Sequence, residues 1–98
     1  MNEKRFFVYI LASGKHGTLY VGMSGNLIPR VEQHRLGTIP GFTKTYNVKH
    51  LVYFEEHADA PSAYQRERQL KKWNRDWKIR LIETANPDWI DLYPSLQF

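Results

Sequence analysis

The sequence predicts a small α/β (α+β) fold in the order β-β-α-β-α-α, with a three-stranded antiparallel sheet flanked by helices. Two short, apolar, β-rich segments separated by a glycine-bounded polar loop indicate a hairpin, and a later segment of the same kind supplies the third strand. Segments with capping residues and apolar positions at helical spacing follow the hairpin and the third strand. We expect one domain, residues 1–98, with a core at about residues 5–84 and a tail, 85–98, that packs back onto it.

The strands are predicted from their apolar patterns. Residues 6–11 are apolar on both alternating faces, which favours an inner strand. The polar loop at residues 13–17 leads into a second strand at 18–23, and so short a link favours antiparallel pairing. Residues 51–55 form the predicted third strand, and residues 38–47 before it are predicted to be a loop because they contain proline, glycine and polar residues.

Two tyrosines lie on the paired strands. A reasonable register places the side chains of Tyr9 and Tyr20 close together on one face, with Gly22 leaving room beside them. Such a pair is a candidate source of catalytic phenols. The alternative is that both are packing residues with a satisfied hydroxyl.

The first helix is predicted to begin at Asn26, an N-cap candidate, with Pro29 in its first turn, and to end at Gly37. Arg30 and His34 are four residues apart and therefore share one helix face. The guanidinium of Arg30 and the imidazole of His34 repel each other when the histidine is protonated, so they make a poor structural pair. Together they suggest a site for an anion. The alternative is an exposed polar flank.

The second helical region is predicted to begin at Asp59, with Pro61 in its first turn, and to continue to about residue 84 with a break near Asn74. Its expected apolar face consists of Ala60, Ala63, Tyr64, Leu70, Trp73 and Trp77. Glu67 lies in the middle of this face, where a carboxylate is costly unless it is paired or binds a metal. The alternative is that Glu67 lies at the edge of the face and pairs with Lys71.

The basic excess is concentrated in one stretch of the chain. Residues 66–80 carry seven cations and two anions, while the rest of the chain carries seven cations and eight anions, giving a net charge of +4. A basic stripe on one element is typical of a protein that binds nucleic acid. The candidate contacts are Arg66, Lys71, Lys72 and Arg75, together with Lys44 from the predicted loop. The alternative is a solvated helix face, since lysine and arginine favour helices.

Composition excludes several classes of protein. A hydrophobic content of 42% with 14% aromatic residues indicates a folded core and not a disordered chain. The apolar run at residues 6–12 is far too short to span a membrane and lacks a cleavage site, so we expect neither a membrane span nor a signal peptide. The absence of cysteine excludes disulfides, cysteine zinc sites and a thiol nucleophile, and is compatible with the cytoplasmic location that we expect.

Two phenols, a guanidinium, an imidazole and an inward carboxylate are the groups that phosphodiester hydrolysis requires. The segments at residues 7–9 and 20–22 resemble the paired Gly-Ile-Tyr and Tyr-Ile-Gly signatures of GIY-YIG nucleases. Residues 26–34 are similar to the family's first helix with its Arg-x-x-x-His, and residues 63–72 to the helix that carries its metal-binding glutamate. The match covers about residues 6–81 and is closest in kind to the small stand-alone bacterial members, related to the nuclease domain of the excision-repair incision enzyme.

The resemblance implies a metal-dependent endonuclease, with DNA as the expected substrate, one Mg²⁺ or Mn²⁺ as the cofactor, and a role in repair or recombination. Tyr9 would take a proton from the attacking water or orient it, and Tyr20 would position the phosphate or assist the base. Arg30 would stabilise charge on the phosphate, His34 would orient or protonate nearby groups, and Glu67 would bind the metal. An unperturbed tyrosine has a pKa of about 10, so Arg30 or the metal would have to lower the pKa of Tyr9.

The sequence departs from the family pattern in two places. Phe7 replaces the glycine of the first signature. Many family members also carry an active-site asparagine after the glutamate. Asn74 and Asn86 are the only candidates after Glu67, and neither lies in a matching motif.

Two rival hypotheses stay open. One is a nucleic-acid-binding module with little or no hydrolytic activity. The other is an interaction subunit of a repair complex that recruits partners through exposed Trp89, Tyr93 and Phe98, which the nuclease hypothesis expects to be buried.

Overall fold

The computed structural model describes residues 5–96. The elements are the strands β1 (Phe6–Ala12), β2 (Leu19–Ser24) and β3 (His50–His57) and the helices α1 (Leu27–Leu36), α2 (Phe42–Thr45), α3 (Ala60–Lys72) and α4 (Arg75–Ala85), followed by a 3₁₀ turn at Tyr93–Ser95. The strands form one antiparallel sheet in the order β2-β1-β3, which confirms the predicted fold class. Within residues 5–96, no helix combines the length and the apolar character needed to cross a bilayer.

Strand β1 is the central strand, as its apolar pattern on both faces predicts. Val8 and Ile10 pack with residues of α3 and α4 on one face of the sheet. Phe7, Tyr9 and Leu11 pack with residues of α1 on the other face. All five side chains are buried, and each apolar side chain buried in this way contributes roughly 1.5–3 kcal/mol. The sheet is therefore the middle of three layers.

Helix α1 ends as predicted, because Gly37 adopts the left-handed conformation with a φ of 70°. Its start is also at the predicted position, but the cap differs from the prediction. Asn26 occupies the N-cap position but makes no side-chain capping bond. Instead Ser24 organises the turn, since its Oγ accepts from the backbone N–H of Asn26 at 3.0 Å.

The predicted loop at residues 38–47 contains the short helix α2, so the prediction was wrong at Phe42–Thr45. Four residues are too few to show a helical pattern, and the helix is held by contacts with distant parts of the chain. Thr43 is buried, its side chain contacts His34, and its carbonyl accepts from the backbone N–H of Val48 at 2.9 Å.

The second helical region breaks where the sequence predicts. Asp59 caps α3 by accepting from the backbone N–H of Ser62 at 2.8 Å. Asn74 caps α4 by accepting from the backbone N–H of Trp77 at 2.9 Å. The expected break near Asn74 is therefore confirmed, and it separates the two helices.

The expected apolar face of this region is wrong at two aromatic positions. Tyr64 and Trp77 are 54% and 51% exposed, whereas Ala63 and Leu70 are fully buried. Tyr64 is only one position from Ala63, which rotates it out of the buried face, and Trp77 belongs to a separate helix whose phase is set anew after the break.

The tail after α4 lies against the domain. Trp89 is only 5% exposed, and its indole N–H donates to Glu83 at 2.7 Å. Further along, the backbone N–H of Leu92 donates to the carbonyl of Leu51 at 2.7 Å. The exposed Trp89 that the interaction-subunit hypothesis requires is absent, and Phe98 lies outside the described residues.

Candidate active site

The phenol of Tyr9 lies across Gly22 of the neighbouring strand. The strand register pairs Tyr9 with Gly22 and places Tyr20 diagonally opposite on the same face. The rings of Tyr9 and Tyr20 are 6.5 Å apart between centroids, which confirms the predicted proximity. A Cβ at residue 22 would lie 2.6 Å from both Cζ and Oη of Tyr9. Only glycine at this position leaves room for the phenol.

A buried hydrogen-bonded row connects Tyr9 to helix α1 and helix α2. The hydroxyl of Tyr9 lies 3.1 Å from Nε2 of His34, and Nδ1 of His34 lies 2.8 Å from Oγ1 of Thr43. Tyr9 is 1% exposed, and His34 and Thr43 are each 3% exposed. A neutral imidazole has one donor and one acceptor nitrogen, so a donor at Nδ1 leaves Nε2 free to accept the phenolic O–H. Thr43 was missed in the sequence because nothing in residues 38–47 marks it.

The electrostatic environment of this row favours neutral side chains. Burial raises the pKa of Tyr9 well above its ordinary value of 10.0, the nearby Tyr20 and the charge of Glu67 raise it further, and the charge of Arg30 opposes them. Burial, helped by the charge of Arg30, lowers the pKa of His34 from 6.5. The expected lowering of the pKa of Tyr9 by Arg30 is therefore outweighed in this structure. At neutral pH the phenol keeps its proton and the imidazole is uncharged.

Glu67 lies on α3 between the buried Ala63 and Leu70, and its side chain is 15% exposed. Its carboxylate also pairs with the ammonium of Lys71 at 3.3 Å, so the pairing considered as an alternative is present too. Its charge contributes to raising the pKa of Tyr9, so the carboxylate lies within electrostatic range of the phenol.

The carboxylate of Glu67 suits a metal that the substrate helps to hold. Within residues 5–96, no group of three or more histidine and acidic side chains could enclose a metal. Mg²⁺ is commonly bound by one or two carboxylates together with substrate phosphates and water. A single part-buried carboxylate near the phenol fits that kind of site and does not fit a preformed protein cage.

Two of the candidate nucleic-acid contacts have structural partners. The guanidinium of Arg66 donates to both carboxylate oxygens of Glu55, at 3.1 and 3.2 Å. The guanidinium of Arg75 donates to the carbonyls of His16 and Gly17, at the tip of the β1–β2 hairpin. These arginines therefore tie elements of the fold together.

The lysines are more available than these arginines. Lys44 and Lys72 are exposed, and neither has an ion pair within residues 5–96. Lys71 is 51% exposed despite its contact with Glu67. The basic stretch is thus divided between two helices, α3 and α4.

The two candidate asparagines both serve the fold. Asn74 caps α4. Asn86 is 5% exposed; its amide donates to the carbonyls of Val52 and Ile90, and its oxygen accepts from the backbone N–H of Ile90. Both side-chain oxygens, and the amide nitrogen of Asn86, are thus used by the fold.

Comparison with known proteins identifies the family of this chain. The family model described as the GIY-YIG catalytic domain matches residues 5–80. UPF0213 proteins from Staphylococcus aureus strains Mu3 and N315 are 38% identical over 77 residues, covering 79% of this chain and 93% of theirs. The solution NMR structure of a UPF0213 protein from Bacillus halodurans shares the fold, with a TM-score of 0.56 and 23% identity over 89% of this chain and 92% of that one. The resemblance found in the sequence is confirmed: the chain belongs to the GIY-YIG family.

Proposed function

We propose that this protein is a metal-dependent endonuclease that hydrolyses phosphodiester bonds in nucleic acid, with DNA as the substrate, in repair or recombination. Membership of the GIY-YIG family supports a nuclease-type function. The observation that carries the proposal is the hydrogen bond between Tyr9 and His34, buried where the charges of Arg30 and Glu67 also act. A binding module has no need for a buried proton path beside a carboxylate.

The proton path runs from water through Tyr9 to His34. In the tautomer with its proton on Nδ1, His34 donates to Oγ1 of Thr43 and Nε2 accepts the phenolic O–H of Tyr9. As water attacks phosphorus, its proton moves to the oxygen of Tyr9 while the phenolic proton moves to Nε2. Tyr9 therefore never carries a full negative charge, so its raised pKa does not prevent it from acting.

The phosphate is held from the side of Arg30 and Tyr20. Arg30 is exposed on α1, and its charge acts on both Tyr9 and His34. A guanidinium there offsets the negative charge that grows on the phosphate oxygens in the transition state. The hydroxyl of Tyr20, whose ring lies 5.5 Å from that of His34 between centroids, positions the phosphate.

Glu67 is the residue that would hold the divalent cation, Mg²⁺ or Mn²⁺. When bound, the cation polarises the phosphate and stabilises the leaving oxygen. In holding it, Glu67 would give up its contact with Lys71, which would free the lysine to pair with the substrate.

The test is cleavage of single-stranded, duplex and branched DNA and RNA with Mg²⁺, with Mn²⁺ and with chelator. Wild type is compared with Glu67→Gln, which keeps the shape of the side chain and removes its charge. The matched control is Glu32→Gln, an exposed position on α1.

We expect metal-dependent cutting that falls at least about 100-fold in Glu67→Gln and is unchanged in Glu32→Gln. Full activity in Glu67→Gln would contradict the mechanism. If wild type binds nucleic acid but cuts no substrate of the panel, the binding-module hypothesis is favoured instead.

A further inference from the structure

An exposed row of aromatic rings extends outward from the candidate active site. The ring of Phe42 is stacked on that of Tyr20, with centroids 6.2 Å apart and an interplanar angle of 28°. The ring of Tyr46 follows, 4.8 Å from Phe42. Phe42 is 45% exposed and Tyr46 is 56% exposed. We call Tyr20, Phe42 and Tyr46 the aromatic row.

The position of this row suggests a ligand with a flat ring. Tyr20 belongs to the candidate active site, so whatever covers the outer part of the row lies next to the phosphate. Nucleobases stack on aromatic side chains with little dependence on sequence, because every base has a π-face. Helix α2, on which Phe42 lies, also carries Thr43, the partner of His34. The row is therefore fixed in place relative to the proton path.

Cations lie beside the row where a nucleotide would place its phosphate. A groove of about 310 Å³ is lined by Leu19, Tyr20, Val21, Phe42, Lys71 and Lys78. Lys78 is half-buried and has no ion pair within residues 5–96. Burial and the nearby charge of Arg75 lower the pKa of Lys78, so an anion in the groove would relieve an unfavourable environment.

We propose that the aromatic row and this groove form a subsite for one unpaired nucleobase of the strand being cut, adjacent to the scissile phosphate. The base stacks on the outer part of the row, at Phe42 and Tyr46, and Lys71 and Lys78 hold its phosphate. The proposal rests on the proposed function, since it assumes that the strand passes Tyr20. An unpaired base is required because a base inside a duplex has both faces covered by its neighbours.

The experiment measures binding in chelator, where no cutting occurs. The probes are a fluorescein-labelled single-stranded DNA of about 12 nucleotides and a strand of equal length in which abasic sites replace every base. The dissociation constants for the two strands give a ratio that reports contacts with bases alone. Tyr46→Ala and Phe42→Leu are compared with Tyr64→Ala, a matched control because Tyr64 is an exposed tyrosine of α3 at 54%.

We expect wild type and Tyr64→Ala to bind the strand with bases more tightly than the abasic strand. In Tyr46→Ala and Phe42→Leu the preference falls about 5- to 150-fold, which is the range for loss of one stacked base. Lys78→Met weakens binding of both strands by the same factor. A 2-aminopurine base in the strand is quenched on binding to wild type and less quenched with Tyr46→Ala.

An unchanged ratio in both aromatic variants would overturn the proposal, and so would wild type that does not distinguish the two strands. A large loss in Phe42→Leu but not in Tyr46→Ala, with equal weakening on the abasic strand, would show a structural effect through helix α2 and would also overturn it. Wild type that prefers bases yet cuts no substrate would leave the subsite intact and remove the nuclease proposal. If wild type cuts nucleic acid but the ratio is unchanged in both variants, the nuclease proposal stands and the subsite proposal is overturned.

Discussion

Gly22→Ala tests whether the position of the Tyr9 hydroxyl controls activity. The added methyl group would lie 2.6 Å from Cζ and Oη of Tyr9 and 3.0 Å from Cε2 of Tyr20. Ordinary contact begins at 3.4 Å, so the phenol must move by about 0.8 Å. Tyr9 is 1% exposed and its hydroxyl is bonded to His34, so this movement lengthens the bond that carries the proton.

Two magnitudes follow from this displacement. Overpacking of a close-packed interior costs about 1–3 kcal/mol of unfolding free energy. A misplacement near 1 Å in a reacting group costs about 100-fold in rate. The expected result for Gly22→Ala is therefore a folded protein of reduced stability whose kcat falls roughly 100-fold with little change in KM.

The assay combines urea denaturation with cleavage kinetics on the best substrate of the panel. The matched control is Gly14→Ala, since a Cβ at Gly14 would meet no heavy atom within 4 Å. We expect this control to change kcat by less than about twofold. Gly22→Ala with kcat close to that of wild type would refute the reasoning, because Tyr9 could then move without consequence for the reaction.

Thr43→Val removes the hydroxyl that contacts Nδ1 of His34. We expect the free energy of unfolding to fall by about 1–3 kcal/mol and kcat to fall about 10-fold. The imidazole tautomer, observed by ¹⁵N NMR, should change, and Thr43→Ser should restore both properties. If Val leaves the tautomer and kcat unchanged, Thr43 has no part in positioning the ring. The value of kcat/KM, which reports the free enzyme, should rise with pH through the pKa of His34, which burial lowers from 6.5. It should stay level between pH 7 and 10, because Tyr9 keeps its proton there. A log-linear rise across pH 7–10 would instead indicate a phenolate or hydroxide as the base. Asn86→Ala leaves the carbonyls of Val52 in β3 and Ile90 in the tail without the amide donor. We expect denaturation to show about 2–4 kcal/mol less stability, with kcat per folded molecule unchanged. A large fall in kcat with full stability would show that this asparagine is catalytic.

Local patterns were sufficient to predict the elements that hold most of the candidate site. The doubly apolar strand at residues 6–11 has only one position in a small sheet, the centre, and this position buries Tyr9. A period of two along the second strand places Tyr20 and Gly22 on one face, and the register that pairs Tyr9 with Gly22 brings Tyr9 to the same face. A period of four on α1 places Arg30 and His34 on one helix face in the same way.

The parts that the sequence did not predict depend on contacts between distant residues. Thr43 is identified by its contact with His34 across two elements, and neither its type nor its neighbours mark it. Likewise, nothing near Arg66 in the sequence indicates that it binds a carboxylate of β3. Nothing near Arg75 indicates that it binds carbonyls of the hairpin. Charge counting treats all cations of the stretch alike, whereas their availability for nucleic acid is decided by these partners.

The raised pKa of Tyr9 and the lowered pKa of His34 share their main cause. Burial disfavours the charged form of both groups, the phenolate of Tyr9 and the imidazolium of His34. The pair is therefore a neutral phenol and a neutral imidazole, the one combination in which the phenolic O–H can donate to Nε2. A phenolate at rest would take up a proton from solvent, and an imidazolium at rest could accept none from Tyr9. When a phosphate binds, its negative charge stabilises an imidazolium beside it and raises the pKa of His34. In the proposed mechanism the proton acceptor therefore becomes stronger only when the substrate is present. A buried pair that is inert in the free protein thus suits the hydrolysis that we propose.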